Sequence, residues 1–217
     1  MLFLVYMGSI NNIIFDLGNV LLDIDYSLTA DRLSDVTGLD INRDLMEYGE
    51  IFKKFETGKI PYVVFFNHLT KISPKKAIIN DMLPAWNAML IGMQPEIPAL
   101  LDSLSMNYSL FILSNTNEIH IQWLDKYLKQ ENIYEKWYHD WFRQIFYSHQ
   151  LGLRKPEKQC FEEVLIQSNI LPEATLFVDD NVANVNGSIE AGICGVLYDK
   201  SQKSLVDFLR NDAQLIV

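Results

Sequence analysis

Five residues in this 217-residue chain have the types and the order needed for chemistry on a phosphate ester. Asp16 ends the apolar run Ile13-Ile14-Phe15, Ser114 ends Leu110-Phe111-Ile112-Leu113, Lys155 precedes a proline, and Asp179-Asp180 end Thr175-Leu176-Phe177-Val178. A carboxylate can attack phosphorus and split hydrolysis into two easier steps through an acyl phosphate. Attack of one anion on another needs a cation to offset their repulsion. Adjacent carboxylates repel one another in a crevice unless a cation or a proton intervenes. Mg²⁺ suits them, because it takes a few carboxylate oxygens, a carbonyl and waters. A hydroxyl at a helix start can hold phosphoryl oxygens, and the point charge of a lysine ammonium neutralises phosphate or carboxylate. Each piece also has an ordinary structural use. Asp16 could be a turn residue, Asp180 a helix cap, Ser114-Asn115-Thr116-Asn117 a capping cluster, and Lys155 surface. Their shared position at run ends is what separates the two readings, since open α/β sheets bind ligands at strand ends.

The elements that must position them follow from periodicity. Apolar, β-rich runs predict strands over 12–16, 108–113, 145–148, 175–179 and 194–198. Helical spacing predicts helices over 95–106, 117–130, 132–143, 157–168 and 182–191, with Pro156 in the first helical turn. Such alternation implies an α/β fold: a Rossmann-like, mainly parallel sheet covered by helices. Residues 25–95 carry no strand signal; helical patterns fall at 28–37, 42–56, 61–72 and 75–91. Gly38 and Gly58 suit left-handed helix ends, and Pro61 and Pro74 suit first turns. Leu45, Phe52, Phe55, Phe65, Phe66 and Trp86 are the expected core of this all-helical insertion. The expected division is therefore a core of residues 1–24 and 96–217 with a helical cap of residues 25–95. Hinges at Asp23–Tyr26 and Gly92–Pro95 would set that cap above Asp16.

Bulk properties narrow the partners. About half the residues are apolar, enough for a sizeable core. A net charge of −10 argues against nucleic acid and anionic membrane surfaces, while one lysine and a bound cation still make a local positive pocket for a small phosphorylated metabolite. Nothing in the sequence points to a protein partner. Cys160 and Cys194 form no close-spaced pair and fit a reducing, cytoplasmic setting. No apolar run is long enough to span a bilayer. The run Leu2–Tyr6 lacks the flanks of a signal peptide, and Met7 is an alternative start. The four histidines show no metal spacing; His120 reads as a packed or capping residue, Arg154 as solvated, and the Trp137–Phe142 aromatics as packing on a helix.

In sequence order, the segments resemble the haloacid dehalogenase superfamily of hydrolases, in its phosphatase branch with a helical cap after the first strand. The stretches Phe15-Asp16-Leu17-Gly18-Asn19-Val20 and Leu151-Gly152-Leu153-Arg154-Lys155-Pro156-Glu157 resemble bacterial α-D-glucose-1-phosphate phosphatases in particular, as do Ser114–Asn117 and Phe177–Asn181. The resemblance implies Asp16 as nucleophile, phosphoryl binding by Ser114 and the Asn115 backbone, and charge neutralisation by Lys155. It implies Mg²⁺ held by Asp16, the Gly18 carbonyl and Asp180, with Asp179 a direct or indirect partner and Asn184 in the outer sphere. One departure stands out. The superfamily's second aspartate, two residues after the nucleophile, is Gly18 here. General acid–base help is worth about 10²–10⁴-fold, so its loss favours good leaving groups such as the anomeric oxygen of a sugar 1-phosphate. Water, a cap residue, Asp23 or Asp25 would have to protonate poorer ones. A phosphomutase needs the missing group, and a dehalogenase leaves the acidic pair without a task. A phospho-ligand-binding or regulatory protein would not need Asp16.

Overall fold

The computed structural model describes residues 10–41 and 49–217. The first described strand is β1 (Asn12–Phe15), and the chain leaves it through β2 (Asp23–Ile24). It then runs through α1 (Tyr26–Thr37), α2 (Gly49–Glu56), α3 (Tyr62–Ile72) and α4 (Ile79–Trp86), and returns by β3 (Leu90–Gly92). Alternation follows: α5 (Ile97–Ser105), β4 (Ser109–Ser114), α6 (Glu118–Gln130), β5 (Phe142–Tyr147), α7 (Ser148–Leu151), α8 (Lys158–Ser168), β6 (Thr175–Asp179), α9 (Val182–Glu190), β7 (Cys194–Leu197) and α10 (Leu205–Asn211).

Five strands make one parallel sheet in the order β5-β4-β1-β6-β7. Phe15 pairs with Ile112 on one side and with Val178 on the other. One residue further on, Asp16 and Asp179 therefore leave neighbouring strands at the same level. The chain order reverses at β1, which opens the crevice that such sheets use for ligands. Both faces of the sheet are buried, so its strands read as unbroken apolar runs rather than as alternation. Ile13, Phe15, Ile112 and Val178 pack under α5, α6 and α10. Ile14, Phe111, Leu113 and Phe177 pack against Phe161 and Val164 of α8 on the other face.

The helices between β2 and β3 gather around a separate apolar cluster that includes Phe55, Phe65, Phe66 and Trp86. Phe55 stacks on Phe65 at 4.6 Å, and Phe66 meets Trp86 edge-on at 5.6 Å. Each buried ring contributes roughly 1.5–3 kcal/mol of transfer free energy. Local signals fix the ends of α1: the Asp25 side chain accepts from Ser27 N, and Gly38 closes the helix at φ 76°. Gly58, at φ 65°, turns the chain just after α2 as its sequence context predicts.

Several expectations need correction. Among its described residues, the segment 25–95 contains one strand, β3, which pairs antiparallel with β2, Asp23 opposite Gly92. Both crossings between sheet and helices thus run through a single two-stranded ribbon. The expected helix 132–143 shrinks to a π-helical turn, Lys136–Trp141, because pairing of Leu110 with Phe142 draws the chain into β5 early. Pro61 lies just before α3 instead of inside its first turn, Pro74 lies in a non-helical link, and α8 starts at Lys158, after Pro156. α10 carries no counterpart in the sequence reading. Leu45, the early part of the expected helix 42–56, and the Met1-or-Met7 question fall outside the described residues. Among the described residues, no helix is long and apolar enough to cross a membrane.

Candidate active site

Asp16 follows the last residue of β1, and its backbone N–H donates to Val178 O at 2.9 Å, so the end of β6 fixes where its side chain starts. Asp179 ends β6 and is fully buried. Between the two carboxylates lies Lys155, only 1% exposed: its Nζ is 2.7 Å from Asp16 Oδ1 and 2.6 Å from Asp179 Oδ2. A buried ammonium is tolerable only with such partners. Burial works against the lysine charge, but Asp16 and then Asp179 outweigh it and hold the ammonium above its ordinary range. Burial also pushes Asp16 well above the usual carboxylate range, against the pull of Lys155.

The lysine is placed through its backbone. Asn115 donates from Nδ2 to Lys155 O at 2.9 Å and accepts from Lys155 N at 2.9 Å. A side-chain amide after β4 thus clamps the loop after α7, and Ser114 and Asn115 line the same hollow as Asp16 and Lys155. Ser114 does not cap α6; Asn117 does, accepting from Ile119 N and His120 N at 3.1 Å. The hydroxyl of Ser114 is thereby left out of helix capping. Asp180 likewise escapes capping duty, since Asn181 caps α9 by accepting from Ala183 N at 2.8 Å. Instead Asp180 accepts from Asn19 Nδ2 at 3.0 Å. Asn19 itself stands at φ 56°, and its own Oδ1 is buried without a partner.

Asp16, Asp179 and Asp180 each offer an oxygen, and those three oxygens lie within 4.8 Å of one another. Three hard carboxylate donors against one buried ammonium leave an excess of negative charge that fits Mg²⁺. The donors differ in how far they are already used. Both Asp179 oxygens accept from Asn184 Nδ2 at 3.1 Å, one also from Lys155 and the other from Asn181 N at 2.8 Å.

The hollow widens into a cavity of about 510 Å³ whose far side is made by the helical segment. Tyr26, Phe52, Glu56, Trp86 and Met89 line it there. His120 reaches this wall: it stacks on Trp86 at 5.5 Å, and burial lowers its pKa to about 4. Packing is its role, as its sequence context predicts. Arg154 does not match its expected solvation; its Nη2 lies 3.0 Å from Glu56 Oε2. Asp23 and Asp25 do not line the cavity: Asp25 caps α1, and Asp23 is held by Lys200 at 3.0 Å and by the Gln94 amide.

Glu56 and Arg154 are the lining residues that sequence reasoning missed. One signal was present, because Glu56 follows Phe52 by four positions and so puts an acid on the apolar stripe of its helix.

Strand-end acids around one shared ammonium, facing a pocket at the switch point of a parallel sheet, are the arrangement that the hydrolase read from the sequence requires. Residues 10–192 match the haloacid dehalogenase-like hydrolases, and the chain belongs to that family. It is 27% identical, over 84% of its length and 89% of the relative's, to D-ribitol-5-phosphate phosphatase of Bacteroides thetaiotaomicron. A structure of a haloacid dehalogenase family enzyme from the same organism, in complex with magnesium and inorganic phosphate, superposes with a TM-score of 0.78 at 26% identity. That match covers 88% of this chain and 95% of the other. A predicted haloacid dehalogenase-like hydrolase from Porphyromonas gingivalis superposes at 0.80 with 25% identity, covering 96% and 100%. The family and fold class expected from the sequence are borne out.

Proposed function

We propose that this chain is a Mg²⁺-dependent phosphomonoesterase that works through a phosphorylated Asp16 on a small phosphorylated metabolite. The observation that carries this reading is the shared ammonium: Lys155 joins Asp16 and Asp179 at 2.7 and 2.6 Å, beside Asp180 and Ser114, in one hollow. Binding alone does not call for a carboxylate in the middle of an anion site. The relative named as a phosphatase, and the related structure holding magnesium and phosphate, support the same reading.

In the proposed reaction an Asp16 oxygen forms a bond to phosphorus as the ester oxygen departs with the P–O electron pair and takes up a proton. Water then attacks the acyl phosphate, breaks its P–O bond to Asp16 and releases inorganic phosphate. Ser114 and the Asn115 backbone bind phosphoryl oxygens, and Lys155 holds Asp16 in place and neutralises charge. Asp16, Asp180 and the Gly18 carbonyl would hold Mg²⁺, which when bound offsets the repulsion between carboxylate and phosphate. Asp179, its oxygens committed to Lys155, Asn181 and Asn184, positions the lysine and would support the ion directly or through those neighbours. In this reading the helices of residues 25–95 form a cap over the core of residues 1–24 and 96–217. The two free cysteines accord with a cytoplasmic setting.

Gly18 supports a finer preference for anomeric phosphates, because no acid follows the nucleophile by two residues. Its Cβ position is already approached by Ile24 Cδ1 at 2.7 Å, so apolar surface takes that space. The relative's name points instead to a primary ester. Turnover of matched 1- and 6-phosphates of one sugar separates the two. The reading as a whole is tested with a panel of phosphomonoesters, with Mg²⁺ and with chelator. Equal, slow hydrolysis by wild type and Asp16→Asn would make the protein a phospho-ligand binder.

A further inference from the structure

Two charged residues at this cavity have no part in the chemistry above. Glu56 ends α2 and comes from the helical segment; Arg154 precedes Lys155 and comes from the sheet side. Glu56 is 8% exposed. The two are in contact, Nη2 to Oε2 at 3.0 Å, but the contact is misaligned: Glu56 Oε2 and Arg154 Nε are both buried without a hydrogen-bond partner. Each such unpaired group costs roughly 1–3 kcal/mol. A purely structural Arg–carboxylate pair relieves that cost by the parallel, two-bonded alignment, which is missing here.

The backbone that carries this carboxylate is nonetheless held in a fixed place. The Glu56 carbonyl accepts from Ser148 Oγ at 2.6 Å, and the same Oγ accepts from Thr116 N at 2.9 Å. Through Ser148, Glu56 is tied to the segment that carries Ser114. Burial pushes the Glu56 carboxyl up, with Arg154 and Lys155 drawing it down. A carboxylate beside a guanidinium, each lining the cavity and each with an atom short of a hydrogen bond, matches two neighbouring hydroxyls, one donating to the carboxylate and the other accepting from the guanidinium. Phe52, Trp86 and Met89 supply apolar wall next to them, suited to the C–H surface of such a ligand.

We propose that Glu56 and Arg154 bind adjacent hydroxyls of the leaving group, so that this site selects polyhydroxylated esters, sugar or alditol phosphates, over aryl and simple alkyl phosphates. The proposal rests on the phosphatase reading for the word substrate, but not for the binding it predicts. The test is calorimetry with Mg²⁺ in the Asp16→Asn background, using D-ribitol 5-phosphate, D-glucose 6-phosphate, D-glucose 1-phosphate and ethyl phosphate.

At least one hydroxylated ester is expected to bind ten times or more tighter than ethyl phosphate. Glu56→Gln is expected to shrink that ratio about tenfold, Arg154→Met to shrink it similarly, and Glu56→Asp to restore part of it. Equal loss of affinity for hydroxylated and plain esters is what a structural ion pair gives, and it would overturn the proposal. So would a panel in which no hydroxylated ester outbinds ethyl phosphate. Turnover by the Asp16 protein is measured alongside. No turnover with the expected ratios defeats the phosphatase reading and leaves the hydroxyl site standing; turnover with unmoved ratios does the reverse. If Glu56→Gln does not fold, Arg154→Met decides the outcome.

Discussion

The floor and the roof of the cavity are built on opposite terms. On the floor, at the strand ends, the charges are closely paired: Lys155 between Asp16 and Asp179, and Asn184 on both Asp179 oxygens. On the roof the packing is aromatic, and the one buried acid among its described residues, Glu56, keeps an oxygen without a hydrogen bond. A floor whose charged groups are held in place in advance needs little reorganisation when charge develops, which is where electrostatic catalysis gains most. A roof with unmet polar groups can gain from a ligand that meets them. On the proposed reading the reacting groups lie on the floor, and Glu56, one of the two groups proposed for choice of substrate, lies on the roof beside Arg154 of the floor.

Substitutions on the floor should be the most damaging. Asp16→Asn removes the proposed nucleophile, and kcat on a phosphomonoester should fall by at least about 10³-fold; retention of a tenth of the wild-type rate in steady-state assays would contradict the role proposed for it. Lys155→Met strips the buried carboxylates of their partner. A loss of about 3–5 kcal/mol in urea unfolding is expected, with Mg²⁺ restoring part of it by binding the acids left behind.

The roof should answer to pH instead. His120 has a pKa of about 4 in the fold against an ordinary 6.5, so between these values the unfolded chain binds more protons. Its contribution is complete above pH 6.5 and is lost as pH falls toward 4, amounting to about 2 kcal/mol at pH 5. His120→Phe should flatten the stability difference between pH 7.5 and pH 5 by that much; an unchanged difference would mean that the imidazole stays solvated. The smallest effect expected is at the seam. Gly18→Asp combined with Ile24→Ala, which clears the contact at 2.7 Å, should raise kcat/KM on a sugar 6-phosphate relative to the 1-phosphate by roughly tenfold, the lower part of what a general acid contributes.

The same division decided what could be read in advance. Asp16, Ser114 and Asp179 end strands buried on both faces, and such strands announce themselves as apolar runs with a polar stop. Their spatial meeting follows from parallel pairing, which aligns like ends. The start of β5 was obscured because Trp137, Trp141 and Phe142 mimic helical spacing, and only pairing with β4 decides where the strand begins. β3 is three residues long, too short to show a period. The Glu56–Arg154 contact joins a lysine-rich helix end to a loop far along the chain, and no local pattern encodes such an approach.

The two-stranded ribbon has a consequence for how this chain can vary. Asp23 and Gly92 are direct partners, with their Cα atoms about 5 Å apart. Everything between them is therefore a cassette whose ends already meet. A short turn, or a foreign helical bundle of any length, could join those two strands while the five-stranded sheet keeps its register. On the proposed reading, such a graft would replace Glu56 and its aromatic wall, while Arg154, Asp16 and Lys155 keep their places on the sheet side.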